Sequence, residues 1–140
     1  TGGMLSSTFV DYPGISQVFL EGDVTYSNEA KMRRLGVKAE TLAQHGAVSA
    51  QTAAQMAEGV AKAAGADIGI STTGVAGPDG GTEEKPVGTV YLGLYYQGEV
   101  KTKLVHLVGN RERIRIRTVE AAFDWLRRTI QKKEAEQTKE

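Results

Sequence analysis

Tyr26, Ser27 and Lys31 stand close together in "TYSNEAK". On a helix, Ser27 and Lys31 lie four residues apart and share a face. A lysine stripped of water can lose enough basicity to act as a general base. A serine or tyrosine beside it is then the group it deprotonates. The simpler reading of the pattern has Ser27 capping a helix and Lys31 as solvated surface. "TGG" at Thr1–Gly3 raises a parallel choice. Paired glycines entering a helix present free N–H groups, the material of an oxyanion hole. The pattern by itself favours a frayed terminus.

A third candidate is the stretch "GISTTGVAGPDGGTEEKPVG", Gly69 to Gly88. Gly74, Gly77, Gly80 and Gly81 let the backbone approach a ligand closely. Thr72, Thr73 and Thr82 add hydroxyls, and Lys85 adds a positive charge. No Gly-Lys-Ser/Thr follows, and the dinucleotide glycine spacing is absent. A phosphate cradle and a plain connecting loop therefore fit the composition equally well. His45 precedes Gly46 near an expected helix end, where imidazole assists capping. His106 alternates within an expected strand. The "RERIRIR" run could bind phosphates, but its interleaved acid reads as a solvated helix face.

These residues need a scaffold, and the composition allows one. The 140 residues suit a single domain, with 40% apolar and 24% charged residues. Lysine plus arginine equals aspartate plus glutamate, 17 against 17. The balance gives no electrostatic reason for a nucleic-acid or membrane-surface partner. The chain has no cysteine, which excludes disulfides and thiolate chemistry, and two histidines make a multi-histidine metal site a poor expectation. No apolar run approaches membrane-spanning length. The expected location is the cytoplasm.

The periodicity predicts the elements. Met4, Leu5, Thr8 and Phe9 have helical spacing, with Pro13-Gly14 as a stop. "SQVFLEGDVTY" predicts a strand with an irregularity at Gly22. Short helices are expected over "SNEAKMRRLG" and "KAETLAQHG", closed by Gly36 and Gly46. "SAQTAAQMAEGVAKAAG" is the clearest helix, capped by Ser49 and stopped at Gly65. Its many alanines favour close packing on a sheet. "ADIGIST" predicts a strand. "GTVYLGLYY" and "VKTKLVHLV" predict a hairpin turning at Gln97-Gly98. A last helix starts near Asn110, with Val119, Ala122, Phe123, Leu126 and Ile130 as its buried stripe. The alternation points to a layered α/β domain with a mixed sheet. Residues 1–133 form the domain, and 134–140 form a charged tail that frays. Ligands in such folds bind at the carboxyl ends of strands, where "ISTTG" enters the long loop.

Taken together, the segments "TGG" at 1–3, "DYPGISQVFLEGDVTYSNEAKMRRLGV" at 11–37, "HGAVS" at 45–49 and "ISTTGVAGPDGGTEEKPVGTVYLGL" at 70–94 resemble the CinA carboxy-terminal domain family. That family includes the nicotinamide-nucleotide amidases. The resemblance implies a three-layer α/β/α sandwich, often dimeric, so a homodimer is expected. It implies hydrolysis of the carboxamide of nicotinamide mononucleotide to nicotinate mononucleotide and ammonia, with no metal or other cofactor. A serine–lysine mechanism follows from it, with Lys31 as base and Tyr26 orienting it or relaying its proton. Thr1, Gly2 and Gly3 match the end of the family's Ser-Cys-Thr-Gly-Gly or similar motif, which places them at the oxyanion hole. The motif's serine is the nucleophile, so Ser27 is not, and the chain as given, starting at the motif's threonine, is expected to be inactive. The substrate-binding positions implied are Thr72, Thr73, Gly74, Ala76, Gly77, Gly80 and Gly81. Two other roles stand beside the amidase: a non-catalytic, nucleotide-binding regulatory module of a competence- or damage-inducible protein, and an interaction domain with a vestigial pocket. The family is also found fused to an upstream pyrophosphatase-like domain.

Overall fold

A computed structural model describes residues 1–139. Five α-helices and three strands follow in the order α1 Met4–Val10, α2 Asn28–Leu35, α3 Ala39–His45, α4 Ala50–Ala64, β1 Ile68–Gly74, β2 Thr89–Tyr96, β3 Glu99–His106 and α5 Arg111–Gln137, with a 3-10 turn at Ile15–Gln17. The strands form one sheet in the order β1-β2-β3. Both pairs are antiparallel, with Ser71 opposite Gly93 and Thr89 opposite His106. The sequence reading expects a mixed sheet. The described strands are wholly antiparallel because the Val75–Gly88 loop returns the chain beside β1 without a crossover.

Helix α4 covers one face of this sheet, with α2 and α3 packed against it; α5 and α1 cover the other. This is the α/β/α sandwich. One core joins Val90, Leu92, Ile114 and Ala122 between sheet and α5, with Leu5, Ile70, Val105 and Trp125 around them. A second joins Leu35, Val37 and Met56 between α2 and α4. Local chemistry sets the helix ends. Ser27, Ser49 and Asn110 each accept a backbone N–H three residues on, and Gly36 and Gly65 close α2 and α4 in the left-handed region.

Two expectations need correction. The segment from Ser16 to Tyr26 is not a strand: after the 3-10 turn it runs irregularly, and Val18, Leu20, Val24 and Tyr26 are exposed. An alternating pattern makes a strand only beside a partner, and among the described residues this segment has none. The tail does not fray at residue 134 either; α5 continues through Gln137. No helix is long and apolar enough to cross a membrane among the described residues.

Candidate active site

Lys31 sits in the second turn of α2, and burial leaves it 7% of its surface. Its Nζ donates to the carbonyl of Thr25 at 2.7 Å and to that of Tyr26 at 3.5 Å. Among the described residues no carboxylate pairs with it. Burial therefore acts unopposed and holds its pKa below the ordinary lysine value of 10.5. Ser27, four residues before it, turns its Oγ to the N–H of Ala30 as the helix cap. The choice posed by "TYSNEAK" thus splits: Ser27 is the cap, and Lys31 is not solvated surface.

The lysine lines a cavity of about 610 Å³ at the unpaired edge of β1. Thr1, Gly2, Gly3, Tyr26, Thr72, Thr73 and Gly74 share that lining. Gly2 and Gly3 have φ of 67° and 93°, a left-handed turn that a side chain would strain. Within it the Met4 N–H bonds to the Thr1 carbonyl at 3.4 Å. Thr73 Oγ1 donates to the Ala47 carbonyl at 2.7 Å, which ties the end of β1 to the loop before α4. Tyr26 is 77% exposed, with its hydroxyl accepting from Arg111 Nη2 at 3.4 Å.

The long loop divides. Its first residues, Thr72 to Gly74, belong to β1 and face the cavity. Ala76 lines a smaller adjoining cavity of about 40 Å³, with Thr1, Thr72 and Arg115. Gly77, Gly80 and Gly81 lie outside both linings. A Cβ at Gly77 or Gly81 would press on Val87, so these two glycines serve the loop's own packing. Lys85 Nζ donates to the His45 carbonyl at 2.7 Å, which fastens the loop to the end of α3 and takes that charge away from the cavity.

The sequence reading assigns two arginines of "RERIRIR" to a solvated helix face, and the structure places both on backbone carbonyls. Arg115 donates from Nε at 3.2 Å and from Nη2 at 3.0 Å to the Thr1 carbonyl. Arg111 Nη1 donates to the Gly77 carbonyl at 2.9 Å. A signal existed. Positions 111, 115, 118 and 122 follow one helical stripe, and Thr118 and Ala122 on it are buried. Two arginines that extend a buried stripe toward the helix start are not an ordinary solvated face.

The comparisons with known proteins agree with this fold. The CinA C-terminal domain family model matches residues 1–130. A Clostridium novyi chain named as competence-damage inducible is 65% identical over 133 residues, covering 95% of this chain and 32% of its own length. A CinA-like protein of Kosmotoga olearia is 56% identical over 130 residues, covering 93% of this chain and 32% of its own. The chain thus spans about a third of the length of the curated relatives it matches. The crystal structure of competence damage-inducible protein A from Klebsiella pneumoniae superposes with a TM-score of 0.86 at 38% identity, covering 89% of this chain and 78% of that one. An Agrobacterium tumefaciens competence/damage inducible protein superposes with a TM-score of 0.86 at 42% identity, covering 89% and 77%. Family model, relatives and structural neighbours converge: this chain belongs to the CinA C-terminal domain family.

Proposed function

We propose that the protein carrying this domain hydrolyses the carboxamide of nicotinamide mononucleotide, with Lys31 as its general base. The observation that carries the reading is Lys31 itself. It is a buried amine without a carboxylate partner, bonded to backbone carbonyls on the wall of a cavity that also holds the Thr1–Gly3 turn. A desolvated amine is deprotonated more readily, and a base must be neutral before it can accept a proton.

The nucleophile in this reading is the serine of the family motif whose end Thr1–Gly3 matches. Its Oγ attacks the carboxamide carbon as Lys31 Nζ takes the proton. Negative charge collects on the amide oxygen, and the Gly2 and Gly3 N–H groups donate hydrogen bonds to it. Collapse breaks the carbon–nitrogen bond, and Lys31 returns its proton to the departing ammonia. Water then attacks the acyl carbon and loses a proton to Lys31; collapse breaks the bond from that carbon to the serine Oγ, Lys31 returns the proton to Oγ, and nicotinate mononucleotide leaves. Tyr26, beside Lys31, orients the amine through its backbone carbonyl. Thr72, Thr73 and Gly74 form the wall against which the nucleotide lies.

The test is formation of nicotinate mononucleotide from nicotinamide mononucleotide by the full-length gene product. Turnover that disappears in Lys31→Ala supports the reading. The relatives' competence-damage names favour a regulatory module instead. Saturable binding of the nucleotide by a folded protein, with no ammonia released, is the result that module predicts.

A further inference from the structure

We infer that Arg115 is a positioning residue, whose two bonds to the Thr1 carbonyl aim the next peptide N–H into the cavity. The inference rests on the amidase reading for its catalytic consequence, and on geometry for its structural one. The peptide joining Thr1 to Gly2 is a rigid plane, in which C=O and N–H point opposite ways when the bond is trans. Arg115 reaches from α5 and holds the oxygen from that side with Nε and Nη2, at 3.2 and 3.0 Å. The Gly2 N–H is thereby turned away from α5. Among the described residues neither Gly2 nor Gly3 donates its N–H to a protein acceptor, and both line the large cavity.

The arrangement needs an external hold because the turn has little of its own. Both glycines lack side chains, and each is as free to leave the left-handed region as to occupy it. The one bond inside the turn, from Met4 N–H to the Thr1 carbonyl, is long at 3.4 Å. A guanidinium presents its donors in a fixed fork, so two bonds to one oxygen fix direction as well as distance. Arg115 is itself fixed on the buried stripe of α5, one residue after Ile114 and three before Thr118, both buried. The charge also polarises the peptide and makes its N–H a better donor to an oxyanion.

The experiment compares wild type, Arg115→Ala and Arg115→Lys in the full-length protein. Two readouts are used: steady-state hydrolysis of nicotinamide mononucleotide, and 15N relaxation of glycine-labelled protein at the Gly2 and Gly3 amides. For Arg115→Ala the expectation is a fall in kcat of about 10²-fold with KM within about threefold. The Gly2 and Gly3 order parameters should drop from about 0.85 to below about 0.6. Arg115→Lys, with a single donor nitrogen and no fork, should fall between. Retained kcat, a change confined to KM, or unchanged order parameters would each overturn the inference. If wild type itself releases no ammonia, the amidase reading fails, and the relaxation data alone decide whether Arg115 holds the turn.

Discussion

The two sides of strand β1 are built to opposite rules. Its α4 face is closed to the point where side chains are excluded. A Cβ at Gly69 would collide with the Ala57 carbonyl, and one at Gly93 with the Ala53 carbonyl. Ser71 Oγ, between them in the sheet, donates to that same Ala53 oxygen at 2.6 Å. Helix and sheet approach there backbone to backbone. The outer edge of β1 is the reverse. It borders a cavity, a buried amine without a carboxylate, a left-handed glycine turn and two arginines whose charges rest on backbone carbonyls. The first region stabilises the domain. The second holds a desolvated amine and two successive glycines in the left-handed region, features of the kind that cluster at functional sites.

That contrast can be broken by single substitutions. The largest effect is expected from Lys31→Met in the full-length protein. Turnover of nicotinamide mononucleotide should fall at least about 10³-fold. Tm at neutral pH should hold or rise by up to about 4 °C, because an unpaired buried ammonium is removed. The sign follows from linkage. The lysine pKa is lowered in the folded state, so the unfolded chain binds more protons between that value and 10.5. The burden on stability is thus full below the folded pKa and is relieved as pH rises from there to 10.5. A Tm loss of 10 °C in this variant would place Lys31 with the structural region instead.

Gly93→Ala should do the opposite. The new methyl meets the Ala53 carbonyl and, at 2.5 Å, Ser71 Oγ. Overpacking of this kind costs about 3 kcal/mol, or roughly 10 °C in Tm. The surviving folded fraction should keep its kcat. Thermal melts beside active-site titration separate the two outcomes, and a lowered kcat per folded site would tie the closed face to the chemistry. The smallest effect is expected from Ser49→Ala, which removes the cap on α4 where Ser49 Oγ accepts from Thr52 N–H at 3.1 Å. The loss should be about 1 kcal/mol in denaturant unfolding. It should leave KM unchanged, although Thr73 ties the site to Ala47 two residues away.

The closed region was largely legible in the sequence. Ser49, Gly65 and the alanine-rich stretch between them mark α4, and the Gln97-Gly98 pair marks the hairpin, because caps and turns are local chemistry. The open region was legible only in part. The alternation of Val18, Leu20 and Val24 suggests a strand, but a strand is a pairing, and no local pattern names the partner. Lys31 shows the same limit from another side. Its identity and spacing propose a base, yet burial is what lowers its pKa, and the cavity it lines is completed by Thr1–Gly3 and β1, which lie far from it in the sequence. Arg115 was hidden because its partner lies 114 positions away. The loop glycines carry a second signal that no local pattern gives: a Cβ at Gly77 or Gly81 would meet Val87.

The most direct measurement is the pH dependence of kcat/KM for nicotinamide mononucleotide in full-length wild type and Lys31→Arg. Arginine keeps the positive charge and cannot surrender it, so the comparison isolates proton transfer from electrostatics. The account predicts a wild-type rate that rises with pH to a plateau whose midpoint lies below 10.5, and no measurable turnover from Lys31→Arg at any pH. A Lys31→Arg enzyme with the wild-type profile would contradict it and remove Lys31 from the chemistry.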